Sequence, residues 1–116
     1  MSKKQAFLKS FGYAGNGIKA AFQNEPNFRI HTAVTVLVLF LAFFLHFSAL
    51  KFAVLILTIC LVITSELVNT LIEKIVDIIS PDYSDKAKVI KDISAAAVLI
   101  CAFSAVLVGL LLFLPM

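Results

Sequence analysis

The spacing of apolar residues divides the chain into four stretches. Over 2–24, Phe7, Leu8, Phe11, Ala14, Ile18 and Phe22 recur at helical spacing, with Lys3, Lys4, Lys9 and Lys19 on the other positions. This pattern predicts an amphipathic helix lying on a membrane surface. Asn24-Glu25-Pro26-Asn27 breaks it, with the proline placed where a new helix can begin. The stretch 30–47 is apolar apart from His31, Thr32, Thr35 and His46, and 92–114 carries no charge after Asp92. Both suit spanning helices. Between them, 51–79 starts as a short apolar run. Its helical period continues through Leu67, Leu71, Ile75 and Ile79, while polar residues occupy the opposite face. It is expected to span the membrane and emerge into the interface. The very short link at 48–51 makes the first two spans an antiparallel pair.

Composition agrees with this division. A chain of 116 residues with 61% hydrophobic content and a mean hydropathy of +1.03 is too oily for a soluble domain. The expected fold is all-α, with 1–116 forming a single integral membrane domain of one surface helix and three transmembrane helices. The apolar run of the first stretch is interrupted and no small-residue cleavage site follows it, so a signal peptide is not expected. Basic residues set the orientation. Lys3, Lys4, Lys9, Lys19 and Arg29 precede the first span, Lys51 lies in the short link, and Lys74, Lys86, Lys88 and Lys91 surround the second loop. Positive charge stays inside, which places the N-terminus and the 80–91 loop in the cytoplasm. Gly12, Gly15 and Gly17 match no phosphate-binding loop, and no nucleic-acid partner is implied. Cys60 and Cys101 fall inside spans and read as small packing residues.

The candidate chemistry lies in 65–92. Glu66, Asn69, Glu73 and Asp77 are spaced three, four and four apart, which puts them on one narrow helical stripe. Carboxylates so close repel one another, so a metal ion, a bound ligand or a facing lysine such as Lys91 must sit against them. At about 1.5 Å per residue from Lys51, Glu66 lies about 22 Å into a core of about 30 Å, and Glu73 lies near the cytoplasmic boundary. The acids therefore climb from within the inner leaflet to its surface. Carboxylates and an amide, without Cys or His in the stripe, suit a hard cation such as Mg²⁺, which usually arrives with substrate phosphates. Lys91-Asp92 adds an ammonium for phosphate and a further carboxylate. Three helices leave a protomer little interior, so the stripe is expected to face a neighbouring subunit. Alone, Glu25 reads as a solvated helix-end charge, and His31 and His46 as interfacial hydrogen-bonding groups.

Together these residues resemble a known family. Glu25 in NEPNFRIH, ELVNTLIEKIVD from Glu66 to Asp77, and AKVIKD from Ala87 to Asp92 followed by Ser94-Ala95-Ala96-Ala97 are similar to the small prokaryotic diacylglycerol kinases, nearly end to end. The resemblance implies a homotrimer of three-span subunits that transfers the γ-phosphate of ATP to a lipid hydroxyl. It implies Glu66 as catalytic base, Glu25 and Glu73 as Mg²⁺ ligands, and Asn69 as a member of the active site. It further implies that Lys91, Asp77 and Asp92 hold phosphate or nucleotide. Tyr13 and Gly17 fit the family's surface-helix pattern on the nucleotide side.

The departures bear on substrate. Lys88 stands where diacylglycerol-specific members carry a glycine, Gly15 stands where they carry a tryptophan, and an arginine expected near Ala6 is missing. The NFRIH and AKxxKD wording looks closer to the undecaprenol kinase branch, so undecaprenol stands beside diacylglycerol as the expected acceptor. Two other classes remain open on sequence. An ion-coupled transporter would show ion-dependent flux without ATP consumption. A structural membrane subunit would tolerate Glu73→Gln without biochemical effect.

Overall fold

The computed structural model describes residues 2–115, which form α1 (Lys3–Asn24), α2 (Pro26–Phe44), α3 (Ala49–Ile79) and α4 (Asp85–Phe113), with no strand among them. The 19, 31 and 29 residues of α2, α3 and α4 are long and apolar enough to cross a membrane. Each helix starts where local chemistry satisfies its first amides. Ser2 and Gln5 form a reciprocal capping box, with Gln5 N–H donating to Ser2 Oγ at 3.1 Å and Ser2 N–H to Gln5 Oε1 at 3.0 Å. Pro26 opens α2 at a position whose amide has no helical partner in any case. Ser48 Oγ accepts from Lys51 N–H at 3.2 Å, and Ser84 Oγ accepts from Ala87 N–H at 3.4 Å.

The Ser84 cap corrects an expected boundary. The apolar run starts near 92, but α4 starts at Asp85. Hydrophobicity marks only the length that meets lipid, whereas the helix runs from its cap, so about two polar turns precede the apolar segment. The loop shrinks from 80–91 to 80–84, beginning just before Pro81, which cannot continue α3. Within it, the Tyr83 hydroxyl donates to Asp85 Oδ1 at 2.9 Å, and that bond lifts the phenol above its ordinary pKa of 10.0.

Two junctions set the layout. Glu25, extended at φ −119°, separates α1 from α2. Arg29 Nη1 then reaches back to the carbonyls of Phe22 and Gln23 at 2.9 and 3.1 Å, placing a cation on the C-terminus of α1. At the other end of α2, Phe47 N–H donates to Ala42 O at 3.1 Å and His46 N–H to Phe43 O at 3.2 Å, with His46 at φ 55°. This is a Schellman ending with histidine in the left-handed position that glycine normally fills. Lys51 Nζ sits 5.1 Å from the centroid of the Phe47 ring and donates to Leu112 O at 3.4 Å, which ties the α2–α3 link to the last turn of α4.

In the bundle, α3 packs along α4 and against α2, and α1 leans on α2. Buried apolar residues are few: Ala21, Phe28, Ala42, Leu55, Val62 and Val76. Side chains such as Phe43, Leu57 and Ile100 face outward, as expected where lipid or another chain replaces water. The His46 backbone yields a test. His46→Gly relieves left-handed strain and should raise the thermal midpoint in detergent, whereas His46→Val should lower stability by about 1–2 kcal/mol. A lower midpoint for the glycine variant would show that the ring, not the backbone, matters there.

Candidate active site

The polar stripe of α3 is partnered residue by residue. Glu66 is 4% exposed, enclosed by apolar turns, and its Oε1 lies 3.1 Å from Nε2 of His31 on α2. One turn on, Ser94 of α4 donates from Oγ to Asn69 Oδ1 at 2.7 Å. That bond assigns the amide. With Oδ1 accepting from serine, the Asn69 Nδ2 group turns to Glu73 and donates to Oε1 at 3.2 Å. At the end of the stripe, Lys91 Nζ donates to Asp77 Oδ1 at 2.5 Å, joining α3 to α4, and Lys88 pairs with Asp92 at 2.7 Å. The facing lysine that the sequence anticipates is therefore present, at Asp77. Like charges are relieved by giving each acid its own partner, His31 of α2 for Glu66, Asn69 of α3 itself for Glu73 and Lys91 of α4 for Asp77. No buried polar side-chain atom among the described residues lacks a partner.

The sequence leads one to expect the stripe against a neighbouring subunit; within this chain Glu66 already meets His31 of α2, and Asn69 meets Ser94 of α4. The stripe is narrow enough to be shared between two helices, because Glu66 points to one and Asn69 to the other.

Three openings surround the stripe. One of about 360 Å³, between the end of α3, the 80–84 loop and the start of α4, is lined by Asp77, Lys88, Lys91 and Asp92, so the expected phosphate-binding residues share one polar cleft. A second, about 480 Å³ and mostly apolar, has Asn69 and Ser94 in its wall. The third, about 420 Å³, runs between α2, α3 and α4 with His31 among its lining residues and Phe113 also in its wall. Tyr13 and Gly17 are not gathered with these groups. Tyr13 is 66% exposed, a Cβ added at Gly17 would meet nothing within 4 Å, and α1 turns Gly15, Ile18, Lys19 and Phe22 toward α2 and α3 instead.

The donor chemistry fits Mg²⁺. Among the described residues nothing hydrogen-bonds the half-buried Glu25 carboxylate, which forms no cap on α2, and Glu73 engages Oε1 alone. No group of three or more His, Cys, Asp or Glu side chains converges among the described residues. A pair of carboxylates is nonetheless the ordinary protein share of a Mg²⁺ site completed by substrate phosphates and water.

Sequence reasoning missed two residues of the site. Ser94 read only as a small residue and His31 only as an interfacial group. Depth was the available signal for His31. It lies five residues, or about 8 Å, along α2 from Pro26, close to the depth of Glu66 below the same boundary. Ser94 can be checked by stability. Ser94→Ala leaves Asn69 Oδ1 without its donor and is expected to cost about 1–3 kcal/mol, read as a lower unfolding midpoint in detergent. An unchanged midpoint would mean that another donor replaces the serine.

Residues 12–113 match the family described as prokaryotic diacylglycerol kinase. The chain is 48% identical over 109 residues to a diacylglycerol kinase of Synechocystis, covering 93% of this chain but only 62% of that longer relative. It is 38% identical over 109 residues to the undecaprenol kinase of Bacillus subtilis, covering 94% of this chain and 89% of the relative. It is 35% identical over 100 residues to the diacylglycerol kinase of Escherichia coli, covering 86% and 82%. With its three candidate spans and the acidic stripe of α3 inside the matched region, the chain belongs to the prokaryotic diacylglycerol kinase family, a family of membrane lipid kinases.

Proposed function

We propose that this chain is an ATP-dependent lipid kinase that transfers the γ-phosphate to the hydroxyl of a membrane lipid alcohol, undecaprenol or diacylglycerol. The observation that carries this reading is the course of the α3 stripe. It begins at a buried carboxylate among apolar turns, Glu66, and ends about 16 Å further along the helix at the charged cleft of Asp77 and Lys91. A lipid hydroxyl and a water-borne phosphate meet only where such a gradient exists. Family membership supports the same chemistry, and relatives named for either acceptor match almost the whole of this chain.

In this reading Glu66 takes the proton from the acceptor hydroxyl as its oxygen bonds to the γ-phosphorus and the bond to the departing ADP breaks. Glu25 and Glu73 would hold Mg²⁺, which when bound neutralises phosphate charge. Lys91 has three ammonium donors and gives one to Asp77, so others remain for phosphate oxygens. Asp77 and Asp92 hold Lys91 and Lys88 in the cleft, and Asn69 fixes the Glu73 carboxylate. Tyr13 and Gly17, which lie apart from this chain's own cleft, would meet nucleotide from α1 of a neighbouring chain. The acceptor enters sideways from the bilayer through the apolar opening beside His31. The basic residues around α1 and the 80–84 loop support a reading in which this end faces the cytoplasm at the inner membrane. The working form is a homotrimer with sites shared between chains, which would give the exposed Tyr13 and the unbonded Glu25 carboxylate a partner surface.

Purified protein given labelled ATP with diacylglycerol and undecaprenol side by side should phosphorylate at least one of them, and transfer to neither would sink the reading. Glu66→Gln should lower kcat by about 10² or more with Mg-ATP binding retained. Glu25→Gln and Glu73→Gln should shift the Mg²⁺ dependence of nucleotide binding to higher concentration. For shared sites, inactive Glu25→Gln and Glu66→Gln chains are co-reconstituted. Partial recovery of activity is expected, and none, with mixed oligomers verified by tags, would mean that each site lies within one chain.

A further inference from the structure

His31 takes no part in the chemistry above, yet it is the described side chain that bonds Glu66. The two are 35 residues apart on different helices, with side chains 25% and 6% exposed. Their contact exists only through the packing of α2 on α3. A glutamate has several rotamers and two equivalent oxygens, so its aim is set by what its oxygens bond. A ring nitrogen on Oε1 selects one rotamer and leaves Oε2 for the substrate.

We propose that His31 is a positioning residue for the base: its Nε2–H donates to Glu66 Oε1, holding the carboxylate in one orientation with Oε2 presented to the acceptor hydroxyl. This rests on the assignment of Glu66 as base. The proton lost by the hydroxyl goes to Oε2, and His31 keeps its own proton throughout. Glu25, at the α1–α2 junction six residues from His31, carries no hydrogen bond among the described residues, and the remaining charged groups lie on the surrounding elements. On α2, Arg29 is turned to the carbonyls of α1. On α3, Glu73 lies two turns away and is held by Asn69. On α4, Lys91 and Asp92 pair with Asp77 and Lys88, and on α1, Lys19 lines the cleft beside Phe28 and Leu67. His31 is therefore the group whose removal changes the setting of Glu66 most directly.

The test uses two variants of the full chain in lipid. His31→Phe keeps a ring of similar bulk without a donor, and His31→Gln keeps a donor that cannot titrate. Without the donor, Oε1 has no fixed partner and the carboxylate can turn away from the acceptor hydroxyl. His31→Phe should lower kcat about tenfold or more with the KM for ATP unchanged. It should also displace the acidic limb of kcat/KM, which a purely structural role would leave in place. Infrared difference spectra of the Glu66 carboxylate, identified by subtraction of Glu66→Gln, should show its stretching bands altered by loss of the His31 hydrogen bond, without relying on turnover. His31→Gln should remain within about threefold of wild type, with its limb unmoved. Wild-type kcat and limb in His31→Phe would overturn the proposal, as would a glutamine variant as impaired as the phenylalanine one. Glu66→Gln assayed in parallel separates the two ideas. Full activity there removes the base and the proposal together, whereas an inactive Glu66→Gln beside an unimpaired His31→Phe removes the proposal alone.

Discussion

A carboxylate surrounded by hydrocarbon must have a partner, and the arrangement of this bundle answers that demand at Glu66. Burial disfavours the charged form strongly, and an unbonded carboxyl oxygen within a membrane has no water to fall back on. α2 supplies His31 against it. The α2–α3 hairpin therefore does more than join two spans, because its register decides whether histidine and glutamate meet. The Schellman turn at Leu45–Phe47 and the Ser48 cap set that register from the far end, and Lys51 secures the turn to α4.

The opposite side of the stripe depends on α4. Ser94 orients the Asn69 amide, and the amide orients Glu73, so a serine on one helix sets which oxygen of a glutamate on another stays free. Lys91 on Asp77 closes the same helix pair one end further on. This outer pair is exposed and contributes modestly to stability, since a solvated ion pair is worth about 0–1 kcal/mol. Its importance is placement, because it keeps an ammonium in the cleft that also holds Lys88 and Asp92.

Outside these contacts the protomer is open. Few apolar residues are buried, and α1 is exposed along almost its whole length, with an edge-to-face Phe7–Phe11 pair at 5.2 Å on its surface. Such a surface suits a bilayer, where helix faces rest on lipid and association depends on packing rather than on escape from water. The polar interior of this fold thus consists of two part-buried sets of contacts along α3, His31 with Glu66 and Ser94 with Asn69 and Glu73.

The sequence by itself determined the class of the molecule: membrane-embedded, all-helical, three spans and one amphipathic helix. Hydrophobic length and period are local properties, and they need no knowledge of neighbours. It also exposed the acidic stripe, because the spacing of Glu66, Asn69, Glu73 and Asp77 is fixed by the geometry of a single helix. The start of α4 was less legible, since the Ser84 cap lies in polar sequence that hydropathy ignores. What only the tertiary structure decided was the pairing of the stripe. Whether Glu66 meets lipid, a second chain or His31, and whether Asn69 meets Ser94, depends on how three helices are rotated about their own axes. That rotation is set by side-chain packing between segments 25 and 35 residues apart, which no local period encodes.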